Sequence, residues 1–252
     1  MNYEILGQPR VSGGPGVRAP QARKVETILA VLLAKANQAV TTDLLVSEIW
    51  ADSPPSRPNA AVHVYVSQLR KALRGSAAEP GPIVTSSRGY SLLVLPGELD
   101  ADRFVQMYEQ GRALHQSRGY GPAGDRLRKA CGLWRGPVFD GIADTPIVRA
   151  YATLLEESRL ECLELLMETN LLLGRHRESI GQLFTLTKEH TLRETFYEYL
   201  MIALSRCNRR AEALETFAVA RRQLTEQLGI EPGRPLRELQ MSILNDELCD
   251  AV

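Results

Sequence analysis

Residues 59–73 read NAAVHVYVSQLRKAL, and residues 83–94 read IVTSSRGYSLLV. In the first stretch, apolar side chains recur at intervals of four, three and four residues, which predicts one apolar stripe on a helix. These side chains are Val62, Val66, Leu69 and Leu73. The opposite face is small at its start and polar further along, and consists of Ala60, His63, Val64, Ser67, Gln68 and Lys71. Such a face suits a DNA groove. A solvated helix with basic residues near its C-terminus, which satisfies its own dipole, is the alternative.

The ends of this helix are also visible in the sequence. Ser56 is predicted to cap the N-terminus and Pro58 suits the first turn, whereas Gly75 predicts the end. An earlier helix has its apolar residues at positions i, i+3, i+4, i+7 and i+8. These residues are Val25, Ile28, Leu29, Leu32 and Leu33.

A short second helix is predicted to end near Trp50. Leu45 and Ile49 mark its apolar side, and Thr41 is its predicted cap. Residues 51–56, ADSPPS, are too rich in proline for a tight corner between two helices. The second and third helices are therefore predicted to meet through a loop.

Two strands are predicted after the third helix. Residues 83–85 and residues 90–94 alternate in hydrophobicity, and residues 86–89 connect them. Three helices followed by such a hairpin make a winged helix, in which the hairpin is the wing.

A small sheet is predicted in front of the first helix. Its strands come from residues 2–7 and from the surroundings of Val11 and Val17, with a glycine-rich turn at residues 13–16. The sheet, the three helices and the wing together make up the first predicted domain, residues 1–96.

The second predicted domain, residues 97–252, is all helical. Its helices are predicted near residues 102–116, 122–134, 146–173, 176–189, 193–206, 210–228 and 235–247. A shift of 34 residues aligns residues 174–180, GRHRESI, with residues 208–214, NRRAEAL, and this is the tetratricopeptide period. The pattern predicts a small solenoid with a concave surface for a protein partner, and a closed helical bundle is the alternative. The fold class is thus mainly α: a winged helix-turn-helix with a small β-sheet and a wing hairpin, followed by a tetratricopeptide-like domain.

Charge is distributed unevenly between the two predicted domains. The whole chain has 30 basic and 30 acidic residues, so its net charge is zero. Residues 1–96 contain ten Lys and Arg against six Asp and Glu, whereas residues 97–252 contain twenty against twenty-four. The first domain thus has a net charge of +4 and the second domain a net charge of −4. Such an asymmetry is expected if the first domain contacts DNA phosphates and the second, the helical tail, does not.

Several function classes are disfavoured by what the sequence lacks. The longest apolar run, residues 28–34, is far too short to span a bilayer core of about 30 Å, and no signal-peptide pattern begins the chain, so a cytoplasmic protein without membrane contact is expected. Four scattered cysteines, Cys131, Cys162, Cys207 and Cys249, favour free thiols over a disulfide or a metal site. Phosphate loops, dinucleotide fingerprints, nucleophile elbows and zinc-protease motifs are absent from the sequence. We therefore expect no enzyme activity, no cofactor and no metal.

Several motifs of the chain resemble those of a known family. The QLRKAL end of the third helix and Gly89-Tyr90 in the wing are similar to OmpR-type winged helices. Residues 99–104 (LDADRF), 133–137 (LWRGP) and 228–236 (LGIEPGRPL) look like the bacterial transcriptional activation domain. That domain follows the winged helix in the Streptomyces antibiotic regulatory protein (SARP) family, and the resemblance covers nearly the whole chain.

The resemblance implies which residues would contact DNA. The base contacts would come from His63, Val64 and Gln68, with Ala61 as a methyl-sized contact. The phosphate contacts would come from Trp50, Tyr65, Ser67, Arg70 and Lys71. Many family members carry an arginine in the wing where this chain has Ser86, so Arg88 is expected to enter the minor groove instead.

The resemblance also implies a function and partners. The chain would activate transcription of a secondary-metabolite cluster, by binding promoter DNA as direct repeats and recruiting RNA polymerase. The winged helix would contact the sigma subunit, and the tail would touch the alpha subunit or a second protomer of a tandem homodimer. A protein-interaction scaffold, in which the winged helix binds protein instead of DNA, is the alternative.

Overall fold

The computed structural model describes residues 1–14, 16–74 and 81–246 of the chain. Three predicted features lie outside the described residues: Pro15 of the glycine-rich turn, the helix stop at Gly75, and Cys249. The last helix, predicted to extend to residue 247, ends at Leu244. The elements are β1 (Asn2–Glu4), β2 (Arg10–Ser12), α1 (Arg23–Ala34), α2 (Thr42–Trp50), α3 (Pro58–Leu73), β3 (Ile83–Ser86), β4 (Gly89–Leu92), α4 (Asp100–Gln116), α5 (Tyr120–Cys131), α6 (Pro146–Leu172), α7 (His176–Glu189), α8 (Glu194–Arg206), α9 (Arg210–Leu228) and α10 (Arg234–Leu244).

The predicted fold class is confirmed. Along the chain, a small antiparallel sheet of β1 and β2 comes first, and the three helices α1 to α3 follow it. The antiparallel hairpin of β3 and β4 comes next, and the remaining elements, α4 to α10, are all helices. Thr41 caps α2 as predicted, because its side chain accepts a hydrogen bond from the Leu44 amide at 3.2 Å. The predicted Ser56 cap is wrong: α3 begins at Pro58, and Arg57 is its N-cap without a side-chain hydrogen bond. Proline fits this position because its missing N–H is one of the groups that a helix N-terminus leaves unpaired.

The chain divides into two compact units, and the first comprises Met1–Tyr108 with Lys129–Leu160. The predicted boundary at residues 96 and 97 stays a prediction about domain organisation. Within the first unit, α1 is buried over most of its length after Lys24, and the apolar stripe of α3 packs with it. The side chains of Val62, Leu69 and Leu73 are fully buried there, so the helix periodicity read from the sequence corresponds to the core.

The wing is joined to this core through the segment between α1 and α2. Val40 and Tyr90 exchange two backbone hydrogen bonds of 2.8 and 2.9 Å, as an antiparallel bridge. Gly89 precedes the bridge with φ +130°, and a Cβ atom there would lie 2.1 Å from the Val40 carbonyl oxygen. Only a glycine allows the two backbones to come this close. The bridge therefore pairs Val40 with the β3–β4 hairpin and joins the wing to the segment between α1 and α2.

The N-terminal segment is held by residues far along the chain. The carboxylate of Asp100 accepts hydrogen bonds from the amides of Ile5 at 2.8 Å and Leu6 at 3.1 Å. Arg135 donates its backbone N–H to the Leu6 carbonyl at 2.8 Å and places its guanidinium 3.5 Å from Asp100. Burial raises the pKa of the Asp100 carboxyl, against the opposite effect of these bonds. Residues of the LDADRF and LWRGP stretches thus hydrogen-bond the backbone of Ile5 and Leu6, directly after β1.

A buried carboxylate connects α2 with the start of α6. Glu48 is 8% exposed, and its Oε2 accepts a hydrogen bond from the Ile147 amide at 3.0 Å. Ile147 lies in the first turn of α6, where backbone N–H groups lack partners inside the helix. The negative charge also suits the positive end of the helix dipole. This bond explains why a glutamate is buried on an otherwise apolar side of α2.

The second unit comprises residues 109–128 and the chain from Glu161 onward. Its helices are joined by the same turn at Arg118, Gly174 and Asn208, and the last two of these turns lie 34 residues apart. Gly174 (φ 72°) and Asn208 (φ 61°) are both left-handed, and the amides that follow them donate to the carbonyls of Asn170 and Leu204. Glycine and asparagine are the residues that tolerate this conformation best. α8 packs against both α7 and α9, as expected for a helical solenoid.

The described cysteines differ in their burial. Cys162 is buried, and Cys131 and Cys207 are half-buried. In the part of the chain that the structure describes, no helix is both long enough and apolar enough to cross a membrane.

The Val40–Tyr90 bridge generates a prediction about Gly89. Gly89→Ala places a methyl group on the Val40 carbonyl and strains a positive φ, so we expect a loss of about 2 kcal/mol or more in the free energy of unfolding. Gly81→Ala is the matched control, because a Cβ at Gly81 meets no atom within 4 Å. Urea denaturation and amide exchange at Val40 and Tyr90 measure the effect. Equal stabilities of the two variants would contradict the bridge.

The second unit generates a prediction about pH. Burial and the like charges of Glu194 and Glu164 raise the pKa of the Glu198 carboxyl above its ordinary value of 4.5. The folded state therefore binds more protons than the unfolded state between the two pKa values, and the stability from this group is lost as the pH rises through the folded pKa. We expect Glu198→Gln to melt at a higher temperature than the parent at pH 7, and the difference to vanish below about pH 4.5. Thermal scans at both pH values test this, with the exposed Glu226→Gln as control. A gap that persists in acid would refute the charge explanation.

Candidate nucleic-acid interface

The face of α3 opposite the core is exposed. His63, Val64 and Gln68, three of the four predicted base contacts, are exposed, and Ala61 is half-buried near the start of the helix. Val64 is 54% exposed although it is apolar. An apolar side chain this open between polar neighbours on a helix suits contact with a thymine methyl group better than contact with water.

The predicted phosphate contacts fall into three groups. Ser67 and Lys71 are exposed on α3. Tyr65 is half-buried, and its ring lies 6.0 Å from the ring of Trp50 at the end of α2. Lys24, at the start of α1, places its Nζ 4.8 Å from the Trp50 ring centre. The structure thus groups Trp50, Tyr65 and a lysine that the sequence analysis missed, because sequence spacing does not show that α1 begins beside the end of α2.

Arg70 forms the third group because it contacts the wing. Its Nη2 donates hydrogen bonds to the Thr85 hydroxyl at 2.6 Å and to the Ile83 carbonyl at 3.3 Å. Its guanidinium also lies 5.8 Å from the ring centre of Tyr90. The charge of Arg70 is therefore held at the junction of α3 and the hairpin, where it supports both elements.

A basic depression lies at this junction. It measures about 360 Å³ and is lined by Ser67, Arg70, Lys71, Arg74, Gly81 and Ile83. Three of its six lining residues are basic, so the depression favours an anionic group such as a phosphate.

Tyr90 of the wing also belongs to the candidate site, although the sequence did not predict it as a site residue. Tyr90 is 3% exposed, and its hydroxyl lies 2.5 Å from Nδ1 of His63. The two rings meet edge to face, with centres 6.1 Å apart. The Gly89-Tyr90 pair is recognisable in the sequence as part of the wing. The contact of Tyr90 with His63 is not, because it depends on the pairing of Tyr90 with Val40.

Arg88 lies at the exposed tip of the wing. Its backbone N–H donates to the Ser86 hydroxyl at 3.2 Å, which closes the turn between β3 and β4. The serine at position 86 is therefore used for turn formation, and Arg88 is left as the exposed cation of the tip. Contact between these residues and DNA stays a prediction.

Within residues 1–14, 16–74 and 81–246, no group of three or more His, Cys, Asp or Glu side chains could hold a metal ion.

Comparisons with known families divide the chain into two matched regions. Residues 20–92 match the family described as "Transcriptional regulatory protein, C terminal". Residues 99–244 match the family described as "Bacterial transcriptional activator domain". The two matches cover the winged helix and the helices that follow it.

Individual relatives agree with these matches. The chain is 34% identical to the regulatory protein DnrI of Streptomyces peucetius, over 97% of this chain and 92% of DnrI. It is 36% identical to the regulatory protein AfsR of Streptomyces coelicolor, over 97% of this chain but only 24% of AfsR. A solved structure of Mycobacterium tuberculosis EmbR in complex with a low-affinity phosphopeptide is similar with a TM-score of 0.90 and 31% identity, over 97% of this chain and 65% of that one. The chain therefore spans about a quarter of AfsR and about two thirds of the EmbR chain.

The exposed face of α3 generates a prediction that separates two kinds of contact. The Gln68 amide can pair with an adenine edge. Gln68→Ala should therefore lose about 1 to 3 kcal/mol of binding free energy at one base pair and reduce the base specificity at that position. Lys71→Ala should weaken binding to all DNA sequences equally and reduce the slope of log Kobs against log salt concentration by about one unit. Lys71 is a cleaner test than Arg70, because Arg70 also bonds the wing. Binding titrations over a set of single-base variants at several salt concentrations measure both effects. A changed base preference in Lys71→Ala alone would show that the helix faces DNA differently.

Proposed function

Since the chain belongs to the Streptomyces antibiotic regulatory protein family of transcriptional activators, we propose that it binds promoter DNA through α3 and the wing and activates a secondary-metabolite gene cluster. The observation that carries the proposal is the exposed face of α3 beside a depression lined by Arg70, Lys71 and Arg74. Proteins of this family are transcriptional regulators and not enzymes.

In this proposal α3 enters the major groove. Gln68 and His63 read base edges, Val64 contacts a thymine methyl group, and Ala61 allows close approach near the helix start. The phosphates on either side are bound by Trp50, Tyr65, Ser67, Arg70 and Lys71. Arg88 enters the adjacent minor groove, whose negative potential is deepest where A·T tracts narrow it.

The partner proteins belong to the same proposal. We place the sigma subunit of RNA polymerase at the winged helix, and the alpha subunit or a second protomer at the helical tail. A groove of about 480 Å³ between α7, α8 and α9 supports a protein contact in the tail. Its floor includes Tyr197 and Leu200, and Lys188, Glu212 and Glu215 add charges of both signs. A groove with an apolar floor and charged sides suits a segment of another protein.

DNA binding separates this proposal from a scaffold function. Cations that neutralise phosphates release counterions, so Kobs falls as salt increases. With Arg70 and Lys71 alone as cationic contacts, the affinity for random duplex DNA should fall about tenfold between 50 and 200 mM salt. Fluorescence anisotropy with a labelled duplex measures this. A protein-binding scaffold would show no duplex binding at either salt concentration.

The arrangement on DNA gives a second test. We propose that two protomers line up head to tail on a direct repeat of about 10 to 11 base pairs, so that both α3 helices meet the major groove on the same side of the duplex. Inserting about five base pairs between the repeats turns the second site to the far side and should abolish cooperative binding. An insertion of a full turn should reduce cooperativity less. A palindromic footprint, or cooperativity that ignores the half-turn insertion, would exclude the tandem arrangement.

A further inference from the structure

Tyr90 determines which nitrogen of His63 carries the proton. We propose that the Tyr90 hydroxyl holds neutral His63 in the tautomer protonated at Nε2, and that His63 thereby prefers guanine over adenine in the major groove. The inference rests on the proposed function, because it assigns a base preference to a residue of the proposed DNA-binding face. Tyr90 acts as a positioning residue, since it would not itself touch the DNA.

The position of the Tyr90 hydroxyl is set by several contacts. The backbone of Tyr90 is paired on both sides, with Val40 through two hydrogen bonds and with Thr85 in the β3–β4 register. The ring is 3% exposed, and the Arg70 guanidinium lies over it. The hydroxyl then lies 2.5 Å from Nδ1 of His63, which stands on the exposed face of α3.

The direction of this hydrogen bond follows from the donors and acceptors available. A phenol has one O–H donor, and a buried donor without an acceptor costs more than the bond itself contributes. In the described part of the chain, His63 Nδ1 is the one hydrogen-bond partner of the Tyr90 hydroxyl. If Nδ1 carried a proton, the phenol oxygen would accept it and the phenol O–H would lose its acceptor. Tyr90 therefore donates, Nδ1 accepts, and the single proton of neutral His63 is on Nε2.

This tautomer gives His63 a defined chemical preference. Nδ1 is occupied by the wing, so Nε2–H is the group that His63 can offer to DNA, and it is a donor. A guanine edge presents two acceptors, N7 and O6, whereas adenine replaces O6 with the N6 amino donor. A fixed donor is therefore attracted to guanine and repelled at N6 of adenine. If the Tyr90 hydroxyl is removed, the proton can move to Nδ1 and Nε2 can act as an acceptor. His63 can then accept a hydrogen bond from the N6 amino group of adenine.

The tautomer is tested directly on the free protein. The full chain, labelled with ¹⁵N in histidine, is observed by long-range ¹H–¹⁵N NMR at about pH 8, above the ordinary histidine pKa of about 6.5. We expect the wild type to show His63 protonated at Nε2, and Tyr90→Phe to show a mixture of both tautomers. His63→Asn identifies the His63 signals by their loss. An Nδ1-protonated His63 in the wild type would overturn the inference.

The base preference is tested by competition between duplexes. Each G·C pair of the bound site is replaced in turn by A·T, and the ratio of affinities is compared between the wild type and its variants. At one position the wild type should prefer guanine by about five- to tenfold, within the range of a base contact. Tyr90→Phe should reduce that ratio to about twofold or less. Tyr65→Phe, which removes a phenol oxygen from the same surface, should weaken both duplexes alike and keep the ratio.

The outcomes separate the inference from the proposed function. Salt-dependent binding with the same guanine ratio in the wild type and in Tyr90→Phe would refute the role of Tyr90 while leaving DNA binding intact. The absence of any duplex binding would refute the proposed function and the guanine preference with it. Thermal unfolding of Tyr90→Phe shows whether the wing is retained, and the wild-type spectrum decides the tautomer without any substitution.

Discussion

The backbone pairing between Val40 and Tyr90 holds the wing against α3 and so shapes the proposed DNA-binding surface. Two hydrogen bonds join the wing to the segment before α2, and they form only because Gly89 has no side chain to meet the Val40 carbonyl. With Tyr90 placed in this way, its ring packs below Arg70 and its hydroxyl reaches His63. The wing and the exposed face of α3 are thus held together by one strand, and their relative placement does not rely on a flexible hairpin.

A comparable constraint operates at the N-terminus of the first unit. Asp100 accepts hydrogen bonds from two consecutive amides of the N-terminal segment, and Arg135 donates to carbonyl groups of the same segment through its backbone and its guanidinium. Buried backbone groups need partners, and here a charged side chain and a distant loop provide them. Residues 99–104 and 133–137, which resemble markers of the activation domain in the sequence, are therefore part of the packing of the winged-helix unit.

In the second unit, backbone geometry explains the repeat better than side-chain identity does. Gly174 and Asn208 have different side chains, yet both take the left-handed conformation and are followed by the same hydrogen bond to the preceding helix. Glycine reaches this conformation because it has no Cβ, and asparagine tolerates it because its short polar side chain bonds locally. The 34-residue period survives in the sequence because the turn must recur at the same point of each helix pair.

Local sequence patterns are sufficient to predict most helices and strands of this chain, whereas the candidate site is assembled by tertiary contacts. The spacing of Val62, Val66, Leu69 and Leu73 is enough to predict the buried side of α3, because a helix converts spacing into direction. The exposed side, with Gln68 and Lys71, follows from the same rule. The contacts of Arg70 with Thr85, of His63 with Tyr90 and of Lys24 with Trp50 join residues whose distance along the chain carries no such rule. They exist only because the Val40–Tyr90 pairing and the packing of α1 beside α2 bring separate elements together, and long-range pairing is information that local periodicity does not contain.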